Sequence, residues 1–255
     1  MTDIDAAADL VWKAWTSGDR METLPEHARP RDLAEGMAAQ LRLAEHAGAS
    51  YGWKLAATSA AGQAHIGVDG PLPGLLFDRF RHQPGDRLPS ADLHMRVAEA
   101  EFAFRMAADV PAGAPAADVL AAVGGLHLAV EVPDSRFTRF ETVGAAQLAA
   151  DCACASRFVL GPAVPDWRGL DLSTWGTALW INGAEAARGS GGNVLGDPYA
   201  ALLRLAAELP AYGRTLRAGE VITTGTTTTP VPIGPGDEVR ADFGELGEVS
   251  FSFAA

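Results

Sequence analysis

From residue 51 onward, glycine and proline cut this chain into runs too short for anything but strands and brief helices. The pattern predicts strands over 52–56, 74–77, 93–107, 126–132, 158–160, 177–181, 221–224, 238–242 and 248–253. Helix-like stretches fall between them at 115–123, 142–154 and 198–209. In the last, Leu202, Leu203, Leu205 and Ala206 follow a proline suited to a helix's first turn. So many short strands between helices exclude a regular βαβ repeat. The expected body, residues 51–255, is an α+β mixed β-roll or barrel with peripheral helices.

The first fifty residues read differently. Leu10, Val11 and Trp15 recur at helical spacing and stop at Ser-Gly-Asp, 17–19. A second helix is expected from Asp32, with Glu35 completing a capping box and Ala34, Met37, Leu41 and Ala44 on one side. The pair is expected to form a small helical N-terminal lobe, residues 1–50.

A formal charge of −12 argues against nucleic acid, which requires concentrated Lys and Arg. No apolar stretch approaches the roughly 20 residues that span a bilayer, so no membrane partner is expected. The acidic N-terminus lacks the basic start of a signal peptide, which makes the cytoplasm the default. Cys152 and Cys154 lie two apart in an apparently helical run, where their side chains would not face each other. Both are expected to be small core residues.

Three carboxylates stand out. In Arg-Val-Ala-Glu-Ala-Glu-Phe-Ala-Phe (96–104), a strand would place Glu99 and Glu101 on one face, about 6.5–7 Å apart along the chain. Ala100, Phe102, Phe104 and Met106 would line the other face. Adjacent carboxylates repel unless a positive charge sits between them. Glu131, at the end of another apolar strand, suggests a hard divalent cation held by oxygen ligands. The alternative is a solvated strand face with Arg96 and Arg105 pairing the carboxylates.

Lys54, in Tyr-Gly-Trp-Lys-Leu-Ala-Ala-Thr-Ser (51–59), is either an edge-strand lysine reaching water or an ammonium that meets a substrate carboxylate or exchanges protons with a carbon acid. The loop Gly-Val-Asp-Gly-Pro-Leu-Pro-Gly (67–74) is a shaped connection in which Asp69 would bond its own turn. Thr-Thr-Gly-Thr-Thr-Thr-Thr-Pro (223–230) could hold a carboxylate, or be a Thr-rich strand and turn. Gly-Ser-Gly-Gly-Asn (189–193) matches no phosphate loop and reads as flexible. His46, His65, His82, His94 and His127 show no metal-ligand spacing, although His127 could share a face with Glu131.

Taken in order, these segments, with Arg-Phe-Val-Leu-Gly (157–161) and Pro-Gly-Asp-Glu-Val-Arg-Ala-Asp-Phe-Gly-Glu-Leu-Gly (235–247), resemble the hydratase/decarboxylase branch of the fumarylacetoacetate hydrolase superfamily. The resemblance implies that superfamily's C-terminal type of β-roll, with Mg²⁺ or Mn²⁺ on Glu99, Glu101 and Glu131. It implies catalytic roles for Lys54 and Glu99, and a substrate site that includes Lys54, Ser59, Leu72, Thr226 and Thr227. A homo-oligomer, alone or with a related pathway enzyme, is expected. The implied activity is a lyase hydrating a small anionic 2-oxo acid from aromatic-compound breakdown; a vinylogous decarboxylase is the alternative. Leu72 is the main departure: hydratases of the branch often carry Asp there, whereas decarboxylases tend to be apolar. An acylpyruvate hydrolase and a non-catalytic partner of an active paralogue complete the alternatives.

Overall fold

The computed structural model describes residues 1–254. Its helices are α1 (Ile4–Ser17), α2 (Leu33–Ala47), α3 (Ala60–Ile66), α4 (Ala116–Ala121), α5 (Ala145–Ala150) and α6 (Pro198–Glu208). The strands are β1 (Ser50–Ala56), β2 (Leu72–Phe77), β3 (Arg81–His82), β4 (Arg87–Leu88), β5 (Val97–Met106), β6 (Val123–Val132), β7 (Arg157–Ala163), β8 (Gly176–Ile181), β9 (Ala184–Ser190), β10 (Val221–Thr226), β11 (Val231–Pro232), β12 (Glu238–Asp242) and β13 (Glu248–Phe253). Each expected strand is present, and the class is α+β.

One mixed sheet runs β2-β1-β10-β5-β6-β7-β3, with β11 added beside β5; a second runs β4-β13-β12-β8-β9. In the first, β5 is central and covered on both faces, so Arg105 is its one exposed residue. Phe102 meets Phe243 of the second sheet edge-on, at 5.3 Å between centroids. Phe104 stacks on Tyr199 of α6 at 4.9 Å. Burial on both faces explains how glutamates on this strand can be enclosed at all.

Helix α1 stops at Gly18 in the left-handed conformation, and Asp32 caps α2 by accepting from Glu35 N. The capping box is not closed as expected, because the Glu35 carboxylate accepts from the backbone and guanidinium of Arg31. Buried Gln40 of α2 donates to Pro73 O (3.0 Å) and accepts from Leu75 N (2.8 Å), which satisfies the open edge of β2.

Two stretches depart from the sequence reading. The segment 57–66, for which the sequence predicts no element, contains α3, capped by the Ser59 hydroxyl accepting from Gly62 N. The stretch 142–154 is not one helix: α5 ends at Ala150, and Cys152, Ala153 and Cys154 all adopt positive φ (49°, 49° and 64°). A left-handed backbone is unfavourable for each of these residues. Arg136 holds the turn from inside, pairing with the Asp151 carboxylate and donating to Asp151 O (2.6 Å) and Ala155 O (2.9 Å). The turn lies so close to β2 that a side chain on Gly74 would begin 2.0 Å from Cys152 O.

Candidate active site

The sheet order places β1, β10, β5 and β6 side by side, and each supplies part of one constellation. Lys54 of β1 registers with Thr223 of β10, and Glu99 of β5 lies directly opposite Glu131 of β6. Glu99, Glu101 and Glu131 each offer a carboxylate oxygen, all within 4.8 Å of one another. Glu101 and Glu131 are 1% exposed, Lys54 3%, and Glu99 is half-buried.

Strand β10 is irregular here, and the irregularity serves Glu101. Its register with β5 slips between Thr223 and Thr226, where Gly225 takes φ 100°. Gly225 N donates to Glu101 Oε2 at 3.0 Å, and the Thr223 hydroxyl donates to the same oxygen. A side chain at Gly225 would begin 2.0 Å from Thr58 Oγ1, so only glycine fits.

The other oxygens point at what is missing. Glu101 Oε1 and Glu131 Oε1 are buried without a hydrogen-bond donor. Lys54 Nζ stands 2.9 Å from Glu131 Oε1, as an ion pair whose angles fall outside hydrogen-bond range. Burial and the neighbouring carboxylates raise the Glu99 carboxyl to about 7 and the Glu101 carboxyl well above its ordinary range. Burial also raises Glu131, against the pull of Lys54. Burial opposes the Lys54 ammonium, but Glu131 and Glu99 outweigh it and hold the amine above the usual lysine range. Three clustered carboxylates beside one ammonium resist ionising together, and the donor set is all oxygen. These residues fit a hard divalent cation.

Arg96 donates to Leu93 O rather than to a glutamate, and exposed Arg105 forms no ion pair among the described residues. The solvated-face alternative therefore has no support in the geometry.

Beside the carboxylates opens a cavity of about 680 Å³ whose lining includes Lys54, Glu99, Ser59 and Thr226. Two of the anticipated substrate residues stand elsewhere. Thr227 is fully buried: its hydroxyl donates to Ala100 O and accepts from Thr177, both at 2.8 Å. The slipped register turns this threonine into the sheet and its neighbour Thr228 into the cavity. Leu72 is 3% exposed and lies behind the wall, packed with Leu148, Ala153 and Cys154.

The sequence reading missed Thr228, whose buried Oγ1 has no partner, and Asn193, which lines the cavity from the segment read as flexible. Asn193 donates to Thr227 O at 2.7 Å. It also missed Cys154 as a wall residue, and burial pushes that thiol up to about 12, which makes it inert as a nucleophile. His127 bonds Gly161 O at 2.9 Å and does not join the glutamates.

The profile of the fumarylacetoacetate (FAA) hydrolase C-terminal family matches residues 82–254. The 4-oxalocrotonate decarboxylase of Pseudomonas putida is 34% identical over 203 residues, 79% of this chain and 76% of the relative. The 2-keto-4-pentenoate hydratase of Paraburkholderia xenovorans strain LB400 is also 34% identical over 203 residues, covering 79% and 75%. Among solved structures, 4-oxalocrotonate decarboxylase from Pseudomonas putida G7, complexed with magnesium and adipate, superposes with a TM-score of 0.89. Its identity is 30%, over 98% of this chain and 97% of that one.

Proposed function

This chain belongs to the FAA hydrolase family, and from that premise we propose that it is a lyase hydrating a small 2-hydroxy-2,4-dienoate or 2-oxo-enoate of aromatic-compound breakdown. The observation that carries the reading is the oxygen cage: three clustered glutamates, two with buried oxygens that accept no hydrogen bond, beside a buried lysine that lines a cavity.

Glu99, Glu101 and Glu131 would hold Mg²⁺ or Mn²⁺. When bound, the ion supplies Lewis-acid polarisation of a 2-oxo acid's oxygens. The relative that carries magnesium supports the choice of a hard divalent ion. Lys54, which lines the cavity, would meet the substrate's carboxylate or exchange a proton with its carbon chain. Glu99 alone of the three lines the cavity, which suits it to take a proton from the attacking water. The free Thr228 hydroxyl is available to the substrate, whereas the Thr226 hydroxyl already donates to Thr228 O at 2.9 Å. Ser59 would act through the position of α3, which its hydroxyl caps.

Residues 1–50 act in this reading as a lobe that buttresses the catalytic body at 51–255, Gln40 being one tie between them. The assembly is a cytoplasmic homo-oligomer, alone or with a related pathway enzyme. Among the described residues no helix is long and apolar enough to cross a membrane.

A vinylogous decarboxylase is the second reading, favoured by apolar Leu72 behind the cavity wall. One assay separates them: purified protein with Mg²⁺ is given 2-hydroxypenta-2,4-dienoate and, separately, 2-oxohex-3-enedioate. Diene loss without CO₂ is the expected result. CO₂ from the diacid supports the decarboxylase, and silence on both with metal bound refutes the two together.

A further inference from the structure

The cavity lining is uneven in chemistry. Lys54, Glu99 and the threonines supply most of its polar groups, whereas Leu148, Ala153 and Cys154, with Ile66, Met95 and Phe140 beside them, supply an apolar wall. Among the described residues Lys54 is the only lysine or arginine that lines the cavity, and Glu131 and Glu99 already share its charge. Two further polar side chains carry no charge: Ser59, whose Oγ accepts from Gly62 N, and Asn193, whose Nδ2 donates to Thr227 O. His65, exposed at the rim, packs edge-on against Phe140 at 5.8 Å.

A second carboxylate on the substrate would meet no lysine or arginine other than Lys54, and desolvating an unpaired charge opposes binding. The chain's net charge of −12 also repels a dianion more than a monoanion. Size points the same way. A cavity of about 680 Å³ lies within the range that holds drug-sized molecules, and a five-carbon acid fills only part of it.

We propose that this cavity selects a monocarboxylic substrate whose end remote from the carboxylate carries an uncharged apolar group, alkyl or aryl, and that it discriminates against diacids. The proposal rests on the hydratase reading above and narrows its substrate class. The wall that carries it is held by the left-handed turn at Cys152–Cys154, so the apolar character is fixed by backbone as well as by side chains.

The test is calorimetric binding of unreactive, saturated 2-oxo acids to the Mg²⁺-loaded protein: pyruvate, 2-oxopentanoate, 2-oxohexanoate, 2-oxooctanoate and the diacid 2-oxoadipate. Affinity should rise about fourfold per added methylene. 2-Oxoadipate should bind roughly tenfold or more weakly than 2-oxohexanoate. The exposed, cavity-lining position Ala61 gives a converse check: Ala61→Arg adds a cation on the surface of α3 and should narrow that gap. Diacid binding equal to or tighter than 2-oxohexanoate, a flat alkyl series, or diacid affinity that collapses in His65→Gln would each overturn the proposal. Absence of binding by every acid, pyruvate included, with Mg²⁺ still bound, overturns the underlying hydratase reading as well.

Discussion

Replacing Arg136 by methionine would remove the cation that faces Asp151, in a pair whose side chains are 1% and 0% exposed. Asp151 would keep its bond from Ser135 (2.8 Å) and from Arg136 N (3.0 Å), but its carboxylate would be buried without a counter-charge. Breaking one side of a buried ion pair destabilises by about 3–5 kcal/mol. For a chain of this size that corresponds to a fall in melting temperature of roughly 6–20 °C. The loss should also depend on pH. Burial raises the Asp151 carboxyl while Arg136 pulls it down, so without Arg136 the folded state binds a proton that the unfolded chain releases. A raised folded pKa gives stability present at low pH and lost as pH rises, so the variant's deficit should grow as pH rises from the ordinary carboxylate range toward neutral. Thermal melts across that range measure both quantities. Arg136→Met combined with Asp151→Asn removes the stranded charge and should recover about half of the loss. Because Arg136 also holds the carbonyls on either side of the Cys152–Cys154 turn, KM should rise in the single variant. A deficit under about 1 kcal/mol, or one that does not grow with pH, would refute the account of the clamp.

Three further outcomes are expected. Mg²⁺ at about 100 times its dissociation constant should stabilise the wild-type protein by about 2.7 kcal/mol, and a chelator should reverse this in the same melt. Glu101→Gln should weaken Mg²⁺ by more than about 100-fold, beyond the loss typical of outer-shell partners, without lowering the metal-free melting temperature. A lower metal-free value would mean that the glutamates do not repel one another as their burial implies. Gly225→Ala should cost roughly 2–5 kcal/mol from overpacking and left-handed strain, with partial recovery on adding Thr58→Ala, since the new methyl would collide with Thr58 Oγ1.

The glutamate pair was legible because strand alternation is local: two residues apart on one strand fixes one face, whatever the tertiary setting. The strands were legible because glycine and proline bound them. The strand Ala184–Ser190 was not, although it returns from Ile181 through Asn182 and Gly183, both at positive φ. Its Ala-Glu-Ala-Ala-Arg composition carries no β preference, and only pairing with β8 makes it a strand. The same limit hid the left-handed turn, since Asp-Cys-Ala-Cys-Ala reads as a helix's end until Arg136 is seen inside it. Thr227 was expected at the substrate from the family resemblance, and the register slip that accompanies its turning into the sheet, with Thr228 facing the cavity, has no local signal in the sequence. Asn193 and α3 matter through contacts with residues far away in sequence, and no local pattern announces those.

The parallel pairing of Lys54 with Thr223 also orders events in time. The lysine is made early in synthesis, but the strand that seats it beside the glutamates belongs to the last fifth of the chain. Antiparallel β5 and β6 can pair soon after they emerge, leaving Glu99 and Glu131 opposed with one flank open to water. Joining β10 to both β1 and β5 closes a long loop, the kind of contact that slows folding. Until then the carboxylates stay hydrated and their repulsion is cheap; afterwards it is sealed in. A cation that arrives before closure would therefore assist the last step of folding as well as occupy its product.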